Sequence, residues 1–366
     1  MINIRHKKID FKGKYRCIVV SDIHSHLDRF KELLAKVGYT NDDYLIINGD
    51  FVEKGTQAIE TINYLKQLQA KNDKVEVILG NCEYALETLI NDDNYSYQLV
   101  NYLNKIGKSG LVDQVVYKHK LDIKTINPNK LQLIVRNELK EELTYLKTLP
   151  TSLETKDFLF IHAGINKKVN WQDDVLSTFI EKRDFQIKGH CLDKYVVGHL
   201  PTSNFHKYNI NNDIIIDKQK KIICLDGGTG VKFISQLNAL IIEGNNDKYQ
   251  LKTTYVQPLV NDFIIKNYNG INKDIHKVSW PDFKVEILDR QDEFSLCLVN
   301  KEMIMIKNEF LYHRNDQWYC LDDYTDRMLC VKINDVVKVI GIYSKYAYVI
   351  KNKEIGWIPV DCLKGG

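Results

Sequence analysis

The stretch from Ser21 to Asp50 constrains the fold of this chain more than any other. Two short apolar runs, Cys17-Ile18-Val19-Val20 and Tyr44-Leu45-Ile46-Ile47, are rich in β-branched residues and too short for helices, so they read as buried strands. Between them Leu27, Phe30, Leu33, Leu34 and Val37 recur at helical spacing, and Gly38 closes that helix. Each strand ends in polar chemistry: Ser21-Asp22-Ile23-His24 after the first, Asn48-Gly49-Asp50 after the second. Strand–helix–strand units take their ligands at the carboxyl ends of parallel strands. Two Asp and a His at such ends suit a hard or borderline divalent cation.

The same rule recurs along the chain. After a lead-in over 1–15 and this first unit, a helix runs through Ile59, Ile62, Leu65 and Leu68. A strand over 75–79 then stops at Gly80-Asn81-Cys82-Glu83. A strand over 158–161 precedes His162-Ala163-Gly164, one over 195–197 precedes Gly198-His199, and one over 222–225 precedes Asp226-Gly227-Gly228. Residues 84–150 are helical in pattern and are expected to lie over the site as a cap. A hairpin over 240–256 closes this part. From about 257 the βα rhythm gives way to short alternating runs. The domains are therefore expected at 1–256 and 257–366, with a small all-β barrel at about 330–363.

Composition excludes several classes. The 366 residues are 44% hydrophobic and 27% charged with a net charge of +3, ordinary for a soluble globular chain and without the excess of basic residues that nucleic acid or an anionic membrane calls for. No apolar run approaches the roughly 20 residues of a membrane span. The basic N-terminus has no apolar stretch behind it, so no secretory signal is expected. The eight cysteines form no Cys-x-x-Cys pair and read as reduced thiols of a cytoplasmic protein.

Asp22, His24, Asp50, Asn81, His162 and His199 are six ligand types in a fixed order, each at a strand end. Together they suit a two-metal centre, in which ions roughly 3.5–4 Å apart clamp a phosphoryl group. The stretches Ser21-Asp22-Ile23-His24-Ser25, Gly49-Asp50-Phe51-Val52-Glu53-Lys54-Gly55, Gly80-Asn81-Cys82-Glu83, His162-Ala163-Gly164 and Gly198-His199-Leu200-Pro201 resemble, in order, the motifs of the calcineurin-like metallophosphoesterases. Within them the pattern is similar to the bacterial phosphoprotein-phosphatase type, which includes serine/threonine phosphatases and symmetrical diadenosine tetraphosphate hydrolases. The resemblance covers about residues 16–256. It implies an α/β fold, a four-layer sandwich, here followed by a smaller all-β domain. It also implies two divalent ions, manganese first and iron or zinc otherwise. Asp50 would bridge them, Asp22 and His24 would hold one, and Asn81, His162 and His199 the other.

Three positions depart from the family pattern. Lys54 replaces an Arg that holds substrate phosphate, keeping the charge but losing the bidentate fork. Cys82 stands where the family has a His that protonates the leaving group, and Glu53 where it has the Asp that orients that His. Gly80-Asn81-Cys82 also resembles the small phosphodiesterases of the same superfamily. Arg183 is the sole Arg in the interval where the family carries a second phosphate-binding Arg. His26 and His190 are further imidazoles able to supply a proton.

The resemblance implies a metal-dependent phosphoesterase acting on phosphomonoesters, including a phosphorylated protein. The alternatives are a phosphodiesterase or dinucleoside-polyphosphate hydrolase, and a catalytically weak module that binds a phospho-ligand. At the C-terminus Gly356-Trp357-Ile358-Pro359-Val360 resembles the Trp-and-Pro region of SH3-like barrels, where Pro-rich segments are held on aromatic faces; the aromatic residues of this tail are read first as barrel core, and otherwise as a groove for a protein partner.

Overall fold

The computed structural model describes residues 2–106, 109–198, 200–206, 209–245, 248–270 and 275–366. The chain divides into two compact units. The first comprises residues up to Leu200, Asp213–Val231 and Gln236–Val256; the second comprises Pro201–Asn212, Lys232–Ser235 and Gln257–Gly366.

In the first unit, β1 (His6–Lys8) and β2 (Lys14–Val20) precede α1 (Leu27–Lys36), β3 (Tyr44–Asn48), α2 (Ala58–Lys71) and β4 (Val75–Ile78). Five helices follow: α3 (Asn81–Asn91), α4 (Ser96–Ile106), α5 (Leu111–Lys118), α6 (Pro128–Glu138) and α7 (Lys140–Thr148). Then come β5 (Ser152–Glu154), β6 (Phe158–Ile161), α8 (Leu176–Glu181), α9 (Phe185–Lys188), β7 (Tyr195–Gly198), β8 (Ile215–Asp217), β9 (Ile222–Cys224), β10 (Leu237–Asn245) and β11 (Lys248–Val256).

These strands make two sheets, in the orders β11-β10-β2-β3-β4 and β1-β5-β6-β7-β9-β8. The central strands β2, β3 and β4 run parallel, as do β6, β7 and β9. Alternation along β2 shows why the apolar run is continuous. Cys17 and Val19 point into a core shared with Phe158, Phe160 and Val197 of the other sheet. Ile18 and Val20 point into a core built with helical residues such as Phe30, Ile62 and Leu86. A third cluster, with Phe179, Ile180 and Phe185, covers the outer face of the second sheet. The layers are therefore helices, sheet, sheet, helices. The α1 end follows from Gly38 at φ +60°, which lets Tyr39 N–H turn back to the Leu34 carbonyl at 2.9 Å.

Two expectations are extended here. Residues 6–8 are not mere lead-in: they pair in parallel with Ser152–Glu154. The helices after residue 84, expected as a cap over the site, also belong to the core of the first unit. Leu99, Leu103, Leu111, Val115, Leu131 and Leu143 are buried in the same core as α1 and α2.

One polar side chain fixes the register of the two sheets. Asn48, at the end of β3, donates from Nδ2 to the carbonyls of Ile161 at 3.2 Å and Val197 at 3.3 Å. Its own carbonyl lies 2.9 Å from His162 Nδ1.

Among its described residues the second unit is all β apart from short turns of 3-10 helix. Its strands are β12 (Val260–Phe263), β13 (Lys277–Val278), β14 (Lys284–Arg290), β15 (Phe294–Val299), β16 (Glu302–Lys307), β17 (Leu311–Arg314), β18 (Gln317–Cys320), β19 (Tyr324–Thr325), β20 (Val336–Tyr343), β21 (Tyr346–Lys351) and β22 (Glu354–Pro359). The region expected as a barrel at 330–363 is part of an antiparallel sheet in the order β12-β20-β21-β22, so it recruits a strand from residues 260–263. Trp357 is fully buried, stacks on Tyr348 at 4.5 Å between ring centroids and donates from Nε1 to the Thr325 carbonyl at 3.0 Å. It is core, because its ring and its N–H are both satisfied inside. Ile210 and Ile234 join this core beside Val278 and Phe310, while Ser203 and Lys232 bind Asp323 at 2.6 and 2.8 Å.

Replacing Asn48 with Leu strips two buried carbonyls of their donor, so unfolding free energy should fall by about 1–3 kcal/mol. Urea denaturation measures it, and an unchanged midpoint would show that the sheets do not depend on this bridge. A chain ended at Val256 keeps Ile210, Ile234 and Lys232 but removes their partners. It should pellet on expression where the full chain stays in solution; a soluble fragment with a cooperative melt would overturn this.

Candidate metal centre

The two turns that carry the first ligands are held in a rare backbone state. Asp22, His24 and Ser25 after β2, and Asp50, Glu53 and Lys54 after β3, all have φ between 48° and 67°. Left-handed residues other than glycine persist where surrounding bonds over-determine them. Here the turns lace together: Asp22, His24 and Ser25 N–H donate to the carbonyls of Gly49, Asp50 and Phe51 at 3.1, 3.0 and 2.9 Å.

Glu83 holds them from below. Its Oε1 accepts from Phe51 and Val52 N–H at 2.9 and 3.0 Å, and its Oε2 from Asp50 and Gly80 N–H at 3.0 and 2.9 Å. Burial, with Asp50 adding to it, pushes the Glu83 carboxyl up to about 8 against these donors. Gly80 is required by this packing, since a Cβ there would overlap the Asp50 carboxylate.

Asp50 is 2% exposed and faces both ways. Its Oδ1 lies 3.3 Å from His162 Nε2, and its Oδ2 lies 3.9 Å from His24 Nε2 and 3.1 Å from Cys82 Sγ. Cys82 N–H donates to Oδ1 at 2.9 Å and fixes the carboxylate plane. His24 Nε2 is also 3.7 Å from Asp22 Oδ1. The ligand atoms of Asp22, Asp50 and His162 lie within 4.8 Å of one another, and so do those of His24, Asp50 and Cys82. The two groups share Asp50.

Both imidazoles are set as ligands. His24 Nδ1 lies 3.2 Å from the Val52 carbonyl and His162 Nδ1 lies 2.9 Å from the Asn48 carbonyl. A backbone acceptor at Nδ1 places the ring proton there and turns Nε2 toward the carboxylates. Burial, helped by Lys54, lowers His24 to about 3 and keeps that ring neutral. Burial opposes charge on His162 too, but Asp50 outweighs it and raises that ring to about 9. Burial lifts Asp22 to about 7. Ser21 Oγ donates to Asp22 Oδ2. The Asn81 amide sits 3.1 Å from His162 Nε2. Hydrogen bonding alone turns its nitrogen there and toward the Ile180 carbonyl, whereas an ion shared with His162 needs its oxygen. This set of buried carboxylates, imidazoles turned by backbone acceptors at Nδ1 and an amide fits divalent cations. The structure thus gathers Asp22, His24, Asp50, Asn81 and His162; His199 lies outside the described residues.

The other expected positions are placed as follows. The Lys54 ammonium reaches to 3.1 Å from His24 Nε2, and although burial works against it, Cys82, Asp50, Asp22 and Asp226 raise its pKa. Glu53 does not pair with Cys82. It accepts from Tyr102 Oη and, at 2.6 Å, from Leu111 N–H, so its longer side chain ties α4 and α5 to the turn. Arg183 is exposed in the turn between α8 and α9, three residues beyond Ile180. His26 Nδ1 lies 2.6 Å from the His24 carbonyl, and both ring nitrogens of His190 meet backbone groups of Lys221 and Leu192. Sequence reading missed Asn48, Glu83 and Tyr102. Glu83 alone had a signal, as an acidic residue at the third position of a helix whose N-terminal N–H groups need acceptors.

Comparison with known proteins agrees with this geometry. The chain is 28% identical over 149 residues to a symmetrical bis(5'-nucleosyl)-tetraphosphatase of Vibrio campbellii, covering 40% of this chain and 44% of that one. It is 30% identical over 172 residues to the enzyme of that name from Shewanella loihica, covering 46% and 49%. It thus spans less than half the length of these curated relatives. Among solved structures, a protein serine/threonine phosphatase from Saccharomyces cerevisiae superposes with a TM-score of 0.42 at 12% identity, covering 69% of this chain and 84% of that one. The sequence pattern of the calcineurin-like phosphoesterases matches residues 15–209, more than half of the chain and all the residues gathered around Asp50, so the chain belongs to the calcineurin-like phosphoesterase family.

Proposed function

We propose that this protein is a dinuclear-metal-dependent phosphoesterase that hydrolyses phosphomonoesters with good leaving groups. The observation that carries the reading is Asp50, whose Oδ1 lies toward His162 and whose Oδ2 lies toward His24. When bound, divalent ions supply Lewis acidity toward the phosphoryl oxygens and the attacking water. In this reading Asp22, His24 and Asp50 hold one ion, and Asp50, Asn81, His162 and His199 the other.

The chain's own groups do the rest. Lys54 has a flexible stem and an ammonium already among the carboxylates, so it swings to the incoming phosphate as a point charge. Arg183 is the second phosphate contact in this reading. Water adds to phosphorus, the P–O bond to the leaving group breaks, and the leaving oxygen departs with its electron pair. Of the groups considered for the acid, His190 is bound to backbone groups through both ring nitrogens, His26 holds the His24 carbonyl through Nδ1, and Cys82 donates to Asp50. Glu53 is engaged with Tyr102 and Leu111, which supports a structural part for it rather than that of an acid's partner.

A second reading, hydrolysis of a dinucleoside polyphosphate, is favoured by the same missing acid. A departing nucleotide phosphate needs little protonation, and the curated relatives carry that name. The second unit supports no groove reading at Trp357, so its partner, if the chain recruits a protein, engages another face.

Chelation should abolish turnover of an aryl phosphate, and manganese or a similar ion should restore it. Asp50→Asn should lower kcat/KM by at least about 100-fold, since even groups behind the ligands are worth 10–100-fold. Near-full activity in that variant would end the two-metal reading. Across a series of phosphate esters, kcat/KM should drop steeply as the leaving group becomes more basic. The drop from aryl phosphate to phosphoserine peptide should exceed the roughly 10²–10⁴-fold that a general acid supplies. A flat series would show that an acid is at work.

A further inference from the structure

We propose that Cys82 is itself a metal ligand: its thiolate joins His24 and Asp50 on one ion and turns that position from manganese toward zinc or iron. The inference rests on the dinuclear reading above and deepens it.

The geometry carries the argument. Tetrahedral ligands at ordinary zinc bond lengths stand about 3.4–3.6 Å from one another. The observed separations are 3.1 Å from Cys82 Sγ to Asp50 Oδ2 and 3.9 Å from His24 Nε2 to the same oxygen. They bracket the expected value without any change of backbone. The ligand atoms of His24, Asp50 and Cys82 lie within 4.8 Å of one another, and all three residues are buried.

The sulfur is also held in place. Cys82 is the second residue of α3, and its N–H is bound to Asp50 Oδ1 at 2.9 Å. That bond fixes the direction of the side chain, so Sγ meets the other oxygen of the same carboxylate. The shorter reach of cysteine matters here: it brings the donor to the ion, where a longer side chain would extend past it toward substrate. On binding, the S–H proton leaves to solvent and the S–metal bond takes its place.

The consequence is selectivity. Oxygen and nitrogen donors alone suit manganese, whereas one thiolate favours softer ions. Cys82 is then neither a weak acid nor an inert filler, and the loss of the leaving-group acid is tied to a change of metal.

The test uses the full chain, stripped of metal and titrated with Co²⁺. Equilibrium dialysis counts bound cobalt, and near-ultraviolet absorption reads the thiolate-to-cobalt charge-transfer band. The proposal expects the band in the wild type and its loss in Cys82→Ser, with cobalt still bound. It also expects zinc affinity to fall about tenfold or more in that variant while manganese affinity changes less than about threefold. X-ray absorption of the zinc-loaded wild type should show a sulfur neighbour at about 2.3 Å, which needs no variant. Two bound cobalt ions without the band, a band that survives in Cys82→Ser, or a zinc shell of nitrogen and oxygen alone would overturn the proposal while leaving the dinuclear centre standing. A wild type that binds no cobalt and no zinc would overturn both.

Discussion

Four backbone N–H groups converge on the buried carboxylate of Glu83, and the centre hangs from that convergence. Three of the donors belong to the turn after β3 and one to the turn before α3, so a single side chain locks two strand ends together. Without it, four donors would be stranded where water does not reach, each at a cost of about 1–3 kcal/mol. The same contact sets where Asp50 stands, because Asp50 N–H is one of the four. The carboxylate that faces both ligand groups is thus positioned by another carboxylate that touches neither.

The second sheet arrives at the centre through Asn48. Its side chain holds β6 and β7 at their carboxyl ends, and its carbonyl takes the proton side of the His162 ring. Two parallel sheet segments therefore end at one common edge, and residues more than a hundred positions apart meet at 3.3 Å. The order of motifs along the chain is a projection of that edge. β2 delivers Asp22 and His24, β3 delivers Asp50, β4 Asn81 and β6 His162.

Much of this was legible in the sequence. An apolar run followed by a ligand-type residue and a glycine is a local signal, and it located β2, β3, β4, β6 and β7 together with Asp22, His24, Asp50, Asn81 and His162. What stayed hidden depends on partners far along the chain. Residues 6–8 are polar and exposed, so nothing in them announces a strand edge for Ser152–Glu154. Ile210 and Ile234 look like parts of the first unit until the core they join, built from residues beyond 257, is seen. For Trp357 the pattern suits core or groove, and which of the two it is follows from what stacks on it. Glu53 occupied a position whose usual partner is absent here, and its extra methylene took it to Tyr102 and Leu111 instead.

The left-handed turns have a consequence for how such a centre persists over time. Asp22, His24, Ser25, Asp50, Glu53 and Lys54 each occupy a conformation that glycine adopts freely and other residues adopt at a cost of about 1–2 kcal/mol. At Lys54, the exposed member of the set, drift toward glycine would relieve that cost and remove a charge in the same step. Stability and chemistry therefore pull on that codon in opposite directions. A lineage that no longer needed that charge would not merely be free to lose it; the backbone itself would favour the loss.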